Sequence, residues 1–278
     1  MARDRRSERV DMRRWESGGS SRADDWLAVE EPLEIVIEHD GSALPLLTTM
    51  RTPGNDAELA VGLLYSERIV RTRDDVLSVD HSVDPRLPRD NRANRIVVGL
   101  HPACSPPDMV LRRSFLSTAA CGVCGRTVVA DLTAELRALP RDQTVSADVL
   151  SSVGDRLREE QSTFDRTGGI HATGLFDLSG DLILRREDIG RHNATDAVIG
   201  ASLLAGHTPL DRHVVLVTGR VGYEIVQKCW VAGVTLLAAI GAPSSLAVDM
   251  ALEADMTLVG FLRDGRFNGY SAPERITG

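Results

Sequence analysis

Hydrophobic and polar residues alternate along residues 31–39, a pattern with a period of two that predicts a half-buried β-strand. Asp40-Gly41 follows directly and is the strongest short signal for a tight hairpin, so a second strand over residues 44–49 is expected to pair with the first. Apolar residues at helical spacing then predict a helix over residues 56–69 behind Asn55. Two further strands are predicted, over residues 76–79 and 95–100.

The second half of the chain predicts a different order of helices and strands. An amphipathic helix over residues 146–161 is followed by a strand pair that turns at Ser179-Gly180-Asp181. Helices and strands then alternate: helix 193–205, strand 213–218, helix 223–232, strand 234–240, helix 244–254 and strand 257–262. Strands that alternate with helices predict a mostly parallel sheet covered by helices on both faces.

These patterns predict an α/β protein with three parts. Residues 1–27 mix charged residues with Ser and Gly and are expected to be a disordered tail. Residues 28–125 form a smaller β-rich part that ends at a pair of cysteines, and residues 126–278 form the α/β core. The longest apolar stretch, residues 231–242, is too short and too interrupted by glycine to span a bilayer.

Composition narrows the function class. The formal net charge of −8 argues against general binding to nucleic acid, which needs a basic surface to neutralise phosphates. The chain has four unevenly spaced cysteines and no secretory segment, which does not resemble a disulfide framework and favours a reducing compartment. We therefore expect the protein in the cytoplasm, and a pocket for one phosphorylated ligand remains compatible with its charge.

Cys121 and Cys124 are the centre of the candidate chemistry, in the sequence Ala120-Cys121-Gly122-Val123-Cys124-Gly125. A Cys-x-x-Cys spacing serves a redox pair, half of a metal site, or a nucleophilic thiolate with a second thiol nearby, and it also occurs in structural pairs. The spacing alone does not choose among these uses. Prolines before the pair and glycines within it predict that both cysteines lie on a loop.

A zinc site is one alternative, because His101 and Cys104 add one nitrogen and one sulfur ligand to Cys121 and Cys124. The zinc-dependent deaminases also require His-x-Glu, and none of the seven histidines is followed two positions later by Glu. A thioredoxin-like pair would lie at the start of a helix, which Gly122 and Gly125 disfavour.

Basic residues stand beyond the carboxyl ends of the predicted strands, where open α/β sheets bind ligands. Arg263 and Arg266 would either be solvated loop charges or bind an anionic ligand in a forked geometry. Arg191 and His192 stand at a helix start, which predicts either a simple cap or an anion site. Lys228, the lone lysine, would pair with Glu224 four residues earlier on a solvated face or would face a phosphate.

Several motifs agree in type, order and spacing with the formate dehydrogenase accessory sulfurtransferase family, FdhD, which the chain resembles over residues 30–275. The motifs are Met50-Arg51-Thr52-Pro53-Gly54, residues 63–69, Cys121-Gly122-Val123-Cys124-Gly125, Gly169-Ile170-His171-Ala172, Glu187-Asp188-Ile189-Gly190-Arg191-His192-Asn193, Gly219-Arg220-Val221-Gly222-Tyr223-Glu224-Ile225-Val226-Gln227-Lys228 and Leu258-Val259-Gly260-Phe261-Leu262-Arg263.

The resemblance implies a cytidine-deaminase-like core, usually dimeric. It implies a carrier that receives sulfane sulfur from a cysteine desulfurase and passes it to the molybdenum bis(molybdopterin guanine dinucleotide) cofactor of formate dehydrogenase. By position Cys121 would carry the persulfide, with Cys124 relaying the sulfur or protecting Cys121. The cofactor-binding loop would comprise Phe261, Leu262, Arg263, Asp264, Gly265 and Arg266, with Arg191, His192 and Lys228 as further candidates. The competing hypothesis is a zinc-stabilised, non-catalytic cofactor chaperone, and the roles of His171 and His192 stay open.

Overall fold

The structure, a computed structural model, describes residues 6–104, 136 and 138–278. The described part contains a six-stranded sheet, a four-stranded sheet and two two-stranded sheets, together with the helices. No helix in these ranges is long and apolar enough to cross a membrane.

The N-terminal segment is a β-hairpin, so the expected disordered tail is wrong for its described residues. Strands β1 (Ser7–Glu16) and β2 (Gly19–Ala28) pair antiparallel in continuous register. The base of the hairpin is anchored, because the Arg166 guanidinium lies 5.1 Å from the Trp26 ring and donates to Ser7 Oγ at 3.1 Å. Cross-strand pairing and this anchor order a segment whose composition alone indicates disorder.

A four-stranded sheet follows, with strand order β4-β3-β6-β5. Its strands are β3 (Glu31–His39), β4 (Ser42–Arg51), β5 (Val76–His81) and β6 (Arg95–Leu100). The predicted β3–β4 hairpin is confirmed, since Asp40 and Gly41 have φ of +49° and +73°, as a two-residue turn with left-handed residues requires. Helix α1 (Asp56–Ser66) packs on this sheet, and the short helix α2 (Arg89–Ala93) lies between β5 and β6.

The α/β part contains a six-stranded sheet with strand order β13-β12-β11-β10-β8-β9. Its strands are β8 (His171–Asp177), β9 (Leu182–Asp188), β10 (His213–Val217), β11 (Leu236–Ala239), β12 (Thr257–Arg263) and β13 (Arg266–Ser271). Only the pairs β10–β11 and β11–β12 are parallel, while the other three pairs are antiparallel. The prediction of a mostly parallel sheet is therefore wrong, because two hairpins, β8–β9 and β12–β13, add antiparallel strands to a parallel centre.

Helices cover both faces of this sheet, as predicted. The helices are α3 (Ala147–Glu159), α4 (Ser162–Thr167), α5 (Arg191–Leu204), α6 (Tyr223–Val231) and α7 (Ser245–Ala254), and a small parallel pair joins β7 (Val145–Ser146) to β14 (Ile276–Thr277). Leu150, Val153 and Leu157 of α3 pack on one face of the sheet. Helices α5, α6 and α7 pack on the other face, where they share a core with α1.

Helices α1 and α5 cross in close contact and so join the four-stranded sheet to the α/β part. A Cβ atom on Gly62 would lie 1.7 Å from the Asp196 carbonyl oxygen, and one on Gly200 would lie 1.9 Å from the Glu58 carbonyl oxygen. Neither distance leaves room for a side chain, so both positions require glycine for the two backbones to approach.

Candidate functional site

Four strands of the six-stranded sheet end at the same edge. Strands β9, β10, β11 and β12 run in one direction, since β8 pairs antiparallel with both β9 and β10. Helices α5, α6 and α7 begin at this edge, directly after the strands. Backbone N–H groups at helix starts favour anions, so this carboxyl edge is where the predicted anion site would lie, and the site itself stays a prediction.

The turns at this edge are packed backbone against backbone. A Cβ atom on Gly241 would lie 2.6 Å from the Gly219 carbonyl oxygen, and the Phe261 N–H donates to the Gly241 carbonyl oxygen at 3.2 Å. A Cβ on Gly260 would lie 2.9 Å from Cδ of Pro243. Because these glycines carry no side chains, the turns at the ends of β10, β11 and β12 can pack against one another and form one continuous surface.

The proposed cofactor-binding loop, residues 261–266, is the tight end of the β12–β13 hairpin. Asp264 and Gly265 form its turn with φ of +52° and +69°. Arg263 and Arg266 flank the turn and are exposed, and Arg266 Nη2 lies 3.9 Å from the Asp264 carboxylate. Two exposed arginines thus occupy paired positions at the end of this hairpin.

The side chains of Phe261 and Leu262 differ in their exposure to solvent. Phe261 keeps 39% of its surface exposed and has φ of +56°, a left-handed conformation that is unusual for a bulky residue. Leu262 is fully buried in the core beneath α3, so its side chain is part of the packing and only its backbone lies at the loop.

The side chains of Arg191 and His171 both lie next to Gly219. A Cβ atom on Gly219 would lie 3.1 Å from Cδ of Arg191 and 3.5 Å from Nδ1 of His171. Burial lowers the pKa of His171, and the positive charges of Arg191 and His192 lower it further. His171, whose role the sequence left open, therefore favours its neutral form next to a guanidinium.

His192 has a carboxylate partner from the neighbouring helix. Its Nε2 atom lies 2.9 Å from Oε2 of Glu224 in the first turn of α6. Hydrogen bonding from His192 is the largest cause that lowers the pKa of Glu224. No local pattern predicts this pair, because the two residues are far apart in the chain.

Asp188 fastens the start of α5 to the β4–α1 turn. Its carboxylate accepts hydrogen bonds from the Gly190 N–H at 2.8 Å, the Asn193 side chain at 3.0 Å and the Thr52 N–H at 3.1 Å. Burial raises the pKa of Asp188 to about 6, against the opposing effect of these donors. The residue at the N-cap of α5 is Gly190, which makes no side-chain cap hydrogen bond, so Asp188 holds the segment just before the helix and does not cap it.

Lys228 has a different partner from the one predicted. It is 8% exposed, and its Nζ donates to both carboxylate oxygens of Asp196 on α5 at 2.8 Å. Ser66 Oγ donates to the same carboxylate at 2.8 Å. The expected pair with Glu224 on a solvated face is therefore wrong, and the ammonium group is engaged in a buried ion pair rather than exposed at the strand ends. Cys229 beside it is fully buried.

Cys121 and Cys124 lie outside the described residues, and the zinc alternative can be tested only on its other two members. Cys104 is buried, and burial is the largest cause that raises the pKa of its thiol. The negative charge of Asp75 raises this pKa further. His101 Nδ1 accepts a hydrogen bond from the Ala103 N–H at 3.1 Å. Residues 6–104, 136 and 138–278 contain no group of three or more His, Cys, Asp or Glu residues that could hold a metal ion.

Comparisons with known proteins agree with this architecture. The profile of the FdhD/NarQ family matches residues 28–277. A relative from Mycobacterium tuberculosis, named sulfur carrier protein FdhD, is 44% identical over 256 residues, which cover 90% of this chain and 91% of the relative. A relative of the same name from Streptomyces avermitilis is 41% identical over 273 residues, which cover 97% of this chain and 95% of the relative.

The fold also matches a solved structure. A crystal structure from Desulfotalea psychrophila superposes with a TM-score of 0.77 at 24% sequence identity, covering 98% of this chain and all of the other. At this identity the match supports the fold alone. The expected fold class is therefore confirmed as a mixed α/β protein, and the more specific cytidine-deaminase-like core stays a prediction.

Proposed function

The chain belongs to the FdhD/NarQ family, and from this membership we propose that it is a sulfur carrier in the maturation of formate dehydrogenase. The observation that carries the proposal is the identity of 44% over nine-tenths of the chain to a protein named as a sulfur carrier. We place the protein in the cytoplasm and regard it as a sulfurtransferase and a homodimer, as the family resemblance implies.

Loading of the carrier takes place at Cys121. A Cys121 thiolate attacks the outer sulfur of a persulfide on a cysteine desulfurase, a Cys121–sulfur bond forms, and the sulfur–sulfur bond of the donor breaks with the donor thiolate as leaving group. The product is a Cys121 persulfide, which carries one sulfane sulfur. Cys124 stands close enough in sequence to accept that sulfur or to protect Cys121 as a disulfide.

The acceptor is the molybdenum bis(molybdopterin guanine dinucleotide) cofactor, which the carrier binds as cargo. Each guanine dinucleotide contains a pyrophosphate, and the exposed guanidinium groups of Arg263 and Arg266 suit phosphate oxygens. Arg191 lies at the start of α5 on the same edge and adds a third positive charge. The carboxyl edge would thus hold the cargo by its phosphates.

The residues at this edge divide into ligand contacts and supports. Arg263, Arg266 and the exposed ring of Phe261 are free to meet a ligand. The Glu224 carboxylate lies against the His192 imidazole, and the Asp188 carboxylate accepts from the backbone N–H of Gly190, just before α5. Lys228 stabilises the helices beneath the site through Asp196, and its predicted phosphate contact would require this ion pair to open.

The zinc-stabilised chaperone is the weaker alternative. Zinc binds the thiolate form of cysteine, and the environment of Cys104 disfavours that form. A metal assay on the purified protein separates the two hypotheses, because a structural site retains near-stoichiometric zinc.

Delivery of sulfur is tested by maturing formate dehydrogenase in an extract that lacks this chain. Addition of the wild-type protein is expected to restore formate oxidation, whereas Cys121→Ala is expected to restore none. Cys104→Ala is the matched control and should act as wild type, since its thiol is buried and its pKa is raised. Restoration by Cys121→Ala would overturn the proposed role of this residue.

A further inference from the structure

Two of the motifs that carry the family resemblance contact each other in the fold. Residues 50–54 end β4 and form the turn before α1, and residues 187–193 end β9 and begin α5. The Thr52 N–H donates to the Asp188 carboxylate at 3.1 Å, and Thr52 Oγ1 accepts from the Ile189 N–H at 3.3 Å. The first motif therefore holds the backbone just before α5, although Thr52 and Asp188 are 136 positions apart.

Asn193 lies at the centre of this contact. Its Nδ2 donates to the Met50 carbonyl oxygen at 2.7 Å and to the Asp188 carboxylate at 3.0 Å, and its Oδ1 accepts from Thr49 Oγ1 at 3.2 Å. Two acceptors on one side fix the orientation of the amide, whose hydrogens are both used. We call Thr49, Met50, Thr52, Asp188 and Asn193 the clasp.

The β4–α1 side of the clasp is firmly supported. Arg51 is 1% exposed, and its Nε and Nη2 donate to the two carboxylate oxygens of Asp56 at 2.9 Å each. Nη2 also donates to Asn94 Oδ1 at 3.0 Å. A buried, two-pronged pair of this kind fixes geometry as well as charge. The α5 side has no such support of its own, since Gly190 at the N-cap has no side chain.

Arg191 follows Gly190 directly and depends on the backbone for its position. Its Cδ packs where a Cβ on Gly219 would lie 3.1 Å away. Its Nε is buried and has no hydrogen-bond partner within residues 6–104, 136 and 138–278. The charge of Arg191 reaches His171, where it adds to the effect of burial in lowering the pKa. The titration of His171 therefore reports where the guanidinium stands.

We propose that Asn193 and Asp188 are positioning residues, which fix the start of α5 to the β4–α1 turn and thereby hold Arg191 at the carboxyl edge for an anionic cargo. Binding groups keep their geometry only when surrounding hydrogen bonds lock them in place. The identity of the cargo rests on the proposed function, whereas the placement of Arg191 does not. The alternative is that the clasp only stabilises the fold, in which case its loss leaves Arg191 where it is.

Titration of His171 by NMR on the full-length chain without cargo separates these two roles. Asn193→Ala removes the central amide, so Arg191 should move away and the pKa of His171 should rise by about 0.5. Thr49→Val removes a single donor at nearly constant volume and should raise the pKa by less, which keeps the test open if Asn193→Ala does not fold. In an Arg191→Ala chain, Asn193→Ala should add no further rise, because the group through which it acts is gone.

Val153→Ala is the matched control for lost stability. It opens a cavity under α3, on the opposite face of the six-stranded sheet from α5, and should leave the pKa of His171 unchanged. An unchanged pKa in both Asn193→Ala and Thr49→Val would overturn the proposal. So would an effect of Asn193→Ala that is equal with and without Arg191.

Guanosine diphosphate is the probe for the cargo, with its affinity measured by calorimetry. Asn193→Ala should weaken its binding about fivefold in the wild type and no further in Arg191→Ala, whereas Val153→Ala should leave it unchanged. Weaker binding of equal size with and without Arg191 would overturn the proposal. A wild-type chain that does not bind the probe would refute the assigned cargo, and the titration of His171 would then decide the role of the clasp.

Discussion

The buried ion pair between Lys228 and Asp196 gives the sharpest test of how the helices under the site are held. Lys228→Met removes the ammonium group and leaves the Asp196 carboxylate with only the Ser66 hydroxyl as a side-chain donor. Asp196 is 2% exposed and Lys228 is 8% exposed, so water cannot replace the missing charge without opening the core. A buried charge without its partner is strongly destabilising.

The expected loss follows from this burial. Breaking a buried ion pair by removing one partner costs about 3–5 kcal/mol of unfolding free energy. Burial already raises the pKa of Asp196, so without Lys228 the carboxyl group gains a proton more readily in the folded state. Below the unfolded pKa Asp196 is protonated in both states, so the loss should be small at low pH and should increase as the pH rises.

Urea unfolding at pH 7, followed by the fluorescence of buried Trp230, measures the loss. Lys228→Met with Asp196→Asn should recover more than half of it, because the second change removes the unpaired charge. Glu224→Gln is the control for the predicted pair between Lys228 and Glu224. It should lower the free energy of unfolding by less than about 1 kcal/mol, as expected for a half-exposed ion pair. A loss below about 1 kcal/mol for Lys228→Met, or an equal loss for Glu224→Gln, would refute the reasoning.

Three further predictions follow from packing, titration and ligand contacts. Gly200→Ala places a Cβ atom against the backbone of α1 and should lower stability in urea unfolding by about 1–3 kcal/mol, whereas Gly222→Ala, with nothing within 4 Å, should change it little. Because the pKa of Asp188 is raised to about 6, its contribution to stability is present below about pH 4 and is lost as the pH rises through 6. Asp188→Asn should therefore flatten the dependence of the unfolding free energy on pH between these values. An unchanged slope would contradict the raised pKa. Replacing Arg263 and Arg266 together by Ala should weaken binding of guanosine diphosphate, a mimic of the dinucleotide end, by about tenfold in calorimetry. Arg86→Ala, in the exposed turn between β5 and β6, should have no effect.

Much of the fold could be predicted because local signals were strong. The turn at Asp40-Gly41 determined the β3–β4 hairpin, and the apolar stripe through Leu150, Val153 and Leu157 determined α3. The alternation of strands and helices after residue 191 located every later helix of the described core. In these segments propensity, spacing and packing agree.

The incorrect predictions concern contacts between distant segments. Residues 7–28 have few apolar positions, and their order depends on cross-strand pairs and on Arg166, more than 100 positions away. Sheet direction failed for a similar reason, since the predicted β8–β9 hairpin joins β10 by an antiparallel edge that no local pattern encodes. A hairpin signal predicts the partner of a strand but not the neighbour on its other side.

The predictions for the site were likewise correct where the signal was local and wrong where it depended on a distant segment. The exposed arginines at the β12–β13 turn follow from position at a strand end. The partner of Lys228 is 32 positions away on another helix, so the i,i+4 spacing to Glu224 pointed to the wrong residue. Pairing between helices depends on tertiary packing, which spacing within one helix does not report.

Loading of sulfur on Cys121 is the central claim, and intact-protein mass spectrometry tests it most directly. The chain is incubated with a cysteine desulfurase and cysteine, in parallel with Cys121→Ala, Cys124→Ala and the buried-thiol control Cys104→Ala. The account predicts a gain of about one sulfur mass in the wild type and in Cys104→Ala, and none in Cys121→Ala. An equal gain in Cys121→Ala, or no gain in the wild type together with stoichiometric bound zinc, would contradict it.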